Sequence, residues 1–263
     1  MAISAQDIKK LREATNCGML DCKNALIEAD GDFDKAVEIL RKKGQAKAVK
    51  KADREANEGV VVAKVEGNKA AITQLSCETD FVGNTDRFRD YAADLLSKTI
   101  SKDDNGDVTS TVAEEEKENL VSMIATIGEN MQIVSAQSWT SEGKLHSYIH
   151  GNGRIGVLVD VEGDIDDEGI KALAMHIAAF SPSYVDESGV PAEDIEKEKI
   201  IFAEKAKGKP ADIAEKIVNG SVQKWFKEVC FVHQPWIMDD KVTFGQAYPK
   251  ANLKRFAICK IGK

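Results

Sequence analysis

Four His and five Cys are the side chains of this sequence that could serve as bases, nucleophiles or metal ligands. Their spacing supports none of these roles. Among His146, His150, His176, His233, Cys17, Cys22, Cys77, Cys230 and Cys259 there is no C-x-x-C and no H-E-x-x-H. Cys17-x-x-x-x-Cys22 is a poor zinc spacing, so neither a metal nor a cofactor is expected. Gly151-Asn152-Gly153-Arg154-Ile155-Gly156 matches G-x-G-x-x-G, yet it precedes a valine-rich stretch instead of opening a helix, which fits a hairpin turn and not a dinucleotide site. No P-loop motif occurs. The acidic cluster Glu162, Asp164, Asp166, Asp167, Glu168 fails the EF-hand pattern because Gly163 is misplaced, and its carboxylates suit a helix N-terminus instead.

Three segments could act by contact. In Thr79-Asp80-Phe81-Val82-Gly83-Asn84 a large aromatic stands beside a carboxylate. It can form a wedge that fills an apolar pocket while delivering charge, or Asp80 can cap a helix while Phe81 packs in the core. Met19 and Leu20 follow Gly18 in the turn Asn16-Cys17-Gly18-Met19-Leu20; they can dock a partner or fold inward. Arg41, Lys42, Lys43, Lys47, Lys50, Lys51 and Arg54 form a basic run opposed locally only by Asp53. It reads either as a phosphate-binding strip or as a solvated helix end and linker.

The elements that must position these segments follow from periodicity. Ser4 to Asp7 is a capping-box-like start for a first helix, a second begins near Leu20 and stops at Asp30-Gly31, and Asp32 caps a third that Gly44 is expected to end. Gly59 to Val65 and Lys69 to Cys77 flank a Glu66-Gly67-Asn68 turn as a β-hairpin, and a helix carrying Phe88, Tyr91, Ala92, Leu95 and Leu96 follows. The same order recurs in Leu145 to His150, Arg154 to Val161 and the helix with Ile170, Leu173, Ala174 and Ile177. Between the copies lie a helix closed by Gly128, a strand from Met131 to Val134, and a surface loop from Ser101 to Ser110. Two amphipathic helices joined at Gly208-Lys209-Pro210 make a helical hairpin at about 190–229, and Arg255 to Ile261 reads as a last, largely buried strand. The fold class is therefore α+β: a three-helix module and basic linker (1–56), then a duplicated core of hairpin-plus-helix units in two halves (57–140 and 141–263).

Composition bounds the function. The 263 residues carry 36 basic and 44 acidic side chains, a net charge of −8, which argues against a general nucleic-acid binder. That charge is uneven, net +2 over residues 1–56 and −10 over the rest. No run of about 18 apolar residues is present, so no membrane span is expected. An odd number of scattered Cys fits reduced thiols in a cytoplasmic compartment.

In order along the chain stand Leu11-Arg12-Glu13, Cys17-Gly18-Met19-Leu20-Asp21-Cys22-Lys23-Asn24-Ala25-Leu26, Gly31-Asp32, Leu40-Arg41-Lys42-Lys43-Gly44, Thr79-Asp80-Phe81-Val82, Ile127-Gly128-Glu129-Asn130, His150 with Arg154-Ile155-Gly156-Val157-Leu158-Val159, and Met175-His176-Ile177-Ala178-Ala179. On these motifs the chain resembles the bacterial translation elongation factor Ts family nearly end to end. The resemblance implies an N-terminal module similar to ubiquitin-associated domains, a two-part core, a coiled-coil hairpin, and guanine nucleotide exchange on elongation factor Tu. It implies that Asp80 and Phe81 intrude beside the partner's magnesium and phosphate site, with Thr79 and Val82 flanking them. His150 would add a partner contact, and Met19 and Leu20 an N-terminal docking surface. Such a protein acts by binding and is not an enzyme. Two rivals remain: an RNA-binding protein of the translation apparatus using the basic run with Trp139, Trp225 or Trp236 as stacking surfaces, and an enzyme built on a low-pKa cysteine.

Overall fold

Ser4 and Asp7 exchange hydrogen bonds, Ser4 N–H donating to Asp7 Oδ2 (3.2 Å) and Asp7 N–H to Ser4 Oγ (3.1 Å). This reciprocal cap starts the first helix of the computed structural model, which describes residues 3–15 and 17–262. Asn16, in the turn expected before the second helix, lies outside the described residues. Helices α1 (Ala5–Thr15), α2 (Met19–Glu28) and α3 (Phe33–Lys51) bury Leu11, Cys22, Ala25, Leu26, Ala36 and Leu40 between them. Asp30 and Gly31 turn the chain with positive φ, and Asp32 caps α3 by accepting from Lys35 N–H at 3.1 Å.

Strands β1 (Glu58–Glu66) and β2 (Lys69–Cys77) form the first hairpin. A single turn α4 (Asp80–Gly83) and helix α5 (Asp86–Ile100) follow, then β3 (Gly106–Asp107), α6 (Thr109–Glu115), α7 (Lys117–Ile127) and β4 (Met131–Thr140). The second hairpin is β5 (Lys144–His150) and β6 (Ile155–Gly163), with α8 (Asp167–Phe180) after it. Helices α9 (Ala192–Lys205) and α10 (Ala211–Val229) fold back on each other around Val190, Phe202, Val222 and Phe226. The chain closes through β7 (Pro235–Trp236), β8 (Asp239–Thr243), α11 (Phe244–Ala247) and β9 (Ala251–Lys260).

The antiparallel sheet order is β1-β2-β4-β3 in the first half and β5-β6-β9 in the second. Strands β2 and β6 are buried on both faces. In β6, Val157, Val159 and Val161 face α8, while Leu158 joins Val61, Ile72, Trp139, Ala257 and Cys259 in a core shared by the two sheets. Val60, Leu75 and Cys77 of the first sheet face α5 through Phe88 and Leu95. The result is helix on sheet on sheet on helix, an α+β arrangement in which a hairpin, a helix and a returning antiparallel strand occur twice.

Several expectations need correction. Gly44 does not end the third helix, which continues to Lys51. Gly44 is buried where α3 packs on Val121 and Ala125 of α7, and that packing carries the helix through glycine despite its poor helix propensity of about 1 kcal/mol. The basic run therefore lies mainly on a helix, and the linker shrinks to residues 52–57. The stretch from Ser101 to Ser110 is not all surface loop, since β3 pairs with β4 and Val108 is buried. The strand expected at Met131 to Val134 extends to Thr140, and the last strand begins earlier, at Ala251, with Leu253, Ala257 and Cys259 buried and the residues between them partly open. Among the described residues no helix is long and apolar enough to cross a membrane.

Candidate functional site

Thr79 caps α4, its hydroxyl accepting from Val82 N–H at 3.4 Å, and Asp80 is the first helical residue. The alternative in which Asp80 caps and Phe81 packs inward fails, because Phe81 is 82% exposed and Asp80 faces solvent. The turn thus presents an aromatic ring and a carboxylate side by side to solvent.

The turn is held from several directions. The Glu129 carboxylate accepts from Glu78 N–H (3.1 Å), Thr79 N–H (3.0 Å) and the Thr79 hydroxyl (2.7 Å). Asn84 Nδ2 donates to Asp80 O at 2.8 Å, and Cys77 Sγ to Thr79 O at 3.1 Å. The hairpin turn of the second half meets the same place: Asn152 Nδ2 donates to Asn84 Oδ1 (3.2 Å), Arg89 Nη2 to Asn152 O (3.2 Å), and Val61 N–H to Gly153 O (2.7 Å). Gly151, Asn152 and Gly153 all have positive φ, the backbone of a tight hairpin turn. Between the two turns lies a groove of about 120 Å³ lined by Glu58, Asp80, Asn84, Arg89, Asn152 and Arg154. Arg154 is held charged chiefly by its hydrogen bond to Glu58 (2.7 Å), with Asp80 adding to the effect.

This junction brings His150 to the same end of the core. The residue is exposed at the end of β5, and its Nδ1 lies 3.0 Å from the Tyr148 hydroxyl. Both side chains edge a cleft of about 370 Å³ with Met175, Ala179 and Ile237. Met19 and Leu20 stand apart on the first turn of α2, 48% and 69% exposed, so the inward-folding alternative for them fails. Asp21 next to them bonds Lys47 of α3 at 3.0 Å, and Lys51 one turn on donates to the carbonyl of Gly128, the neighbour of Glu129. The roles of Glu129, Asn84 and Asn152 are not legible in the local sequence. Thr79 has Val82 at the third helical position, so α4 forms no capping box of its own, and Glu129 fills that place only in three dimensions.

The two rivals fare poorly against this geometry. The basic run is engaged within the protein: Arg41 pairs with Glu118, Lys43 with Glu28 (2.5 Å), Lys47 with Asp21 and Arg54 with Glu78 (3.5 Å). Trp139 and Trp236 are buried, and Trp225 is half-buried against Phe226, so they offer no stacking platform. Burial raises the Cys22 and Cys259 thiols, Cys77 is pushed up to about 12 and Cys230 to about 11, the reverse of what a nucleophilic thiol needs.

Fold and site thus define a protein that presents Phe81 on a hydrogen-bonded turn and Met19 with Leu20 at an exposed helix start, the form of a binding surface. The family model described as Elongation factor TS matches residues 78–263. Elongation factor Ts of Hydrogenobaculum sp. (strain Y04AAS1) is 45% identical over 276 residues, covering 100% of both chains. That of Aquifex aeolicus (strain VF5) is 40% identical, covering 100% of this chain and 99% of the relative, and that of Idiomarina loihiensis 42%, covering 95% and 87%. The chain belongs to the elongation factor Ts family, a family of translation elongation factors.

Proposed function

We propose that this chain binds elongation factor Tu and speeds its release of GDP during translation elongation. The single observation that carries the reading is Phe81, 82% exposed on a turn fixed from both halves of the core. Two ligands that share one protein weaken each other reciprocally when each favours a different state, so a chain that holds the empty partner better than the loaded one must loosen the nucleotide. Phe81 would wedge apart the partner's helices while Asp80 perturbs the oxygen shell of its magnesium ion, to which magnesium is geometrically strict. Thr79 and Val82 fix the wedge, His150 adds a contact from the adjoining turn, and Met19 with Leu20 dock the N-terminal helices. The three-helix bundle would then act as a docking module of the ubiquitin-associated kind over residues 1–56, and α9–α10 as a coiled-coil arm on the second half of a core divided at about residue 140. No bond is made or broken in such a cycle, so the chain works as a binding protein without a cofactor, in the cytoplasm.

The direct test preloads elongation factor Tu with a fluorescent GDP and follows its loss by stopped flow. Release should accelerate in proportion to added protein until saturation. A rate that does not change with added protein overturns the proposal.

A further inference from the structure

A four-residue helix does not persist unaided, since nucleation costs more than one or two turns return, and Phe81 gains almost no packing in the free chain. The conformation of α4 therefore depends on its ties. In a capping box the residue at the third helical position reaches back to the N-cap backbone N–H; in α4 that position is Val82, which cannot. Glu129 lies in the connection after α7 and occupies the vacant role. Its Oε2 accepts from both Glu78 N–H and Thr79 N–H, and its Oε1 from the Thr79 hydroxyl. Its own backbone is pinned on both sides. Gly128 ends α7 in the left-handed region (φ 88°) and accepts from Lys51, while the side chain of buried Asn130 donates to Arg54 O (2.7 Å) and Ala52 O (3.3 Å). Asn130 N–H closes the network on Glu78 Oε1 at 2.6 Å.

We infer that Glu129 is a positioning residue for nucleotide exchange: from a distant point of the same chain it supplies the carboxylate that α4 lacks, and so holds Asp80 and Phe81 in the orientation that meets the partner. The inference rests on the exchange reading above. Glu129→Gln is the informative change because it keeps the size of the side chain. Its amide can keep the oxygen on the Glu78 and Thr79 N–H groups and turn its NH2 to the Thr79 hydroxyl, which reverses to accept, so the change removes the charge that strengthens all three hydrogen bonds while keeping the shape of the site. The contacts of Met19, Leu20 and His150 do not depend on this carboxylate, so association should survive while the wedge loosens.

The experiment titrates wild type, Phe81→Ala and Glu129→Gln against elongation factor Tu loaded with fluorescent GDP, and records amide hydrogen exchange of residues 78–84 in the free chains. For Glu129→Gln the expected result is a maximal release rate lower by about tenfold, as three charge-assisted hydrogen bonds become weaker neutral ones. The concentration for half-saturation should stay within about twofold and the amides of 78–84 should exchange faster. A wild-type maximal rate in Glu129→Gln, with Phe81→Ala impaired, overturns this inference and leaves the exchange reading standing. So does a defect confined to half-saturation, or exchange that quickens throughout the chain. A wild-type protein that leaves GDP release unchanged overturns both.

Discussion

Replacing Phe81 by alanine separates a surface wedge from a core residue by magnitude. With 82% of the residue exposed in the free chain, about a fifth of its burial contributes to folding, so the change should cost no more than about 0.5 kcal/mol of stability. Phe88, fully buried against the first sheet, is the internal control, and its truncation should cost about 3–5 kcal/mol. On the partner the order reverses. Fully burying a phenylalanine side chain is worth about 1.5–3 kcal/mol, so Phe81→Ala should slow GDP release about 10- to 100-fold. Urea unfolding followed by circular dichroism gives the first quantity and stopped-flow release of fluorescent GDP the second. A loss of more than about 1.5 kcal/mol of stability, or a release rate within twofold of wild type, would refute the reasoning.

Arg255→Ala should destabilise the chain by about 3–5 kcal/mol, because Asp160 is fully buried and loses its partner at 2.9 Å, and because the guanidinium also sits on Trp139 at 4.5 Å. Urea unfolding checks this, and Asp160→Asn in the same chain should recover part of the loss. His176 gives a pH dependence. Burial holds its pKa below the usual value, its Nε2 bonds Gln234 Oε1 at 3.0 Å, and its Nδ1 has no partner among the described residues. The unfolded chain takes up a proton below pH about 6.5 while the folded chain does not, so stability present at neutral pH should fall by about 1.4 kcal/mol per pH unit on acidification, until the folded pKa is reached. Unfolding free energies at pH 7.5 and 5.5 should show a smaller drop in His176→Phe than in wild type; an equal drop counts against the histidine as its source.

What the sequence made legible was local. Hairpins announce themselves through turn residues, and Gly67 and the Gly151–Gly153 turn fall where the pattern put them. The returning strands β4 and β9 escaped full recognition because their pairing with β2 and β6 is a long-range fact that alternation within either strand does not encode. Thr79 to Val82 could be singled out as an aromatic beside a carboxylate, but whether Phe81 points in or out depends on Glu129, which stands far along the chain and leaves no trace in the local sequence.

Gly44 carries the larger lesson. Read locally, a glycine followed by lysines is a helix end running into a flexible linker, and that would leave Met19 and Leu20 on a tether. The packing of α3 on α7 changes the meaning of the same residues: the helix continues, and its lysines become struts between elements. Lys47 holds Asp21 beside Met19 and Leu20, and Lys51 holds Gly128 beside Glu129, four residues or about 6 Å further along one helix. The exposed apolar pair and the exposed ring are therefore ends of one hydrogen-bonded framework. A surface so pre-organised forgoes less conformational freedom on binding than two modules joined by a coil, which leaves more of its contact energy available to act on whatever it binds.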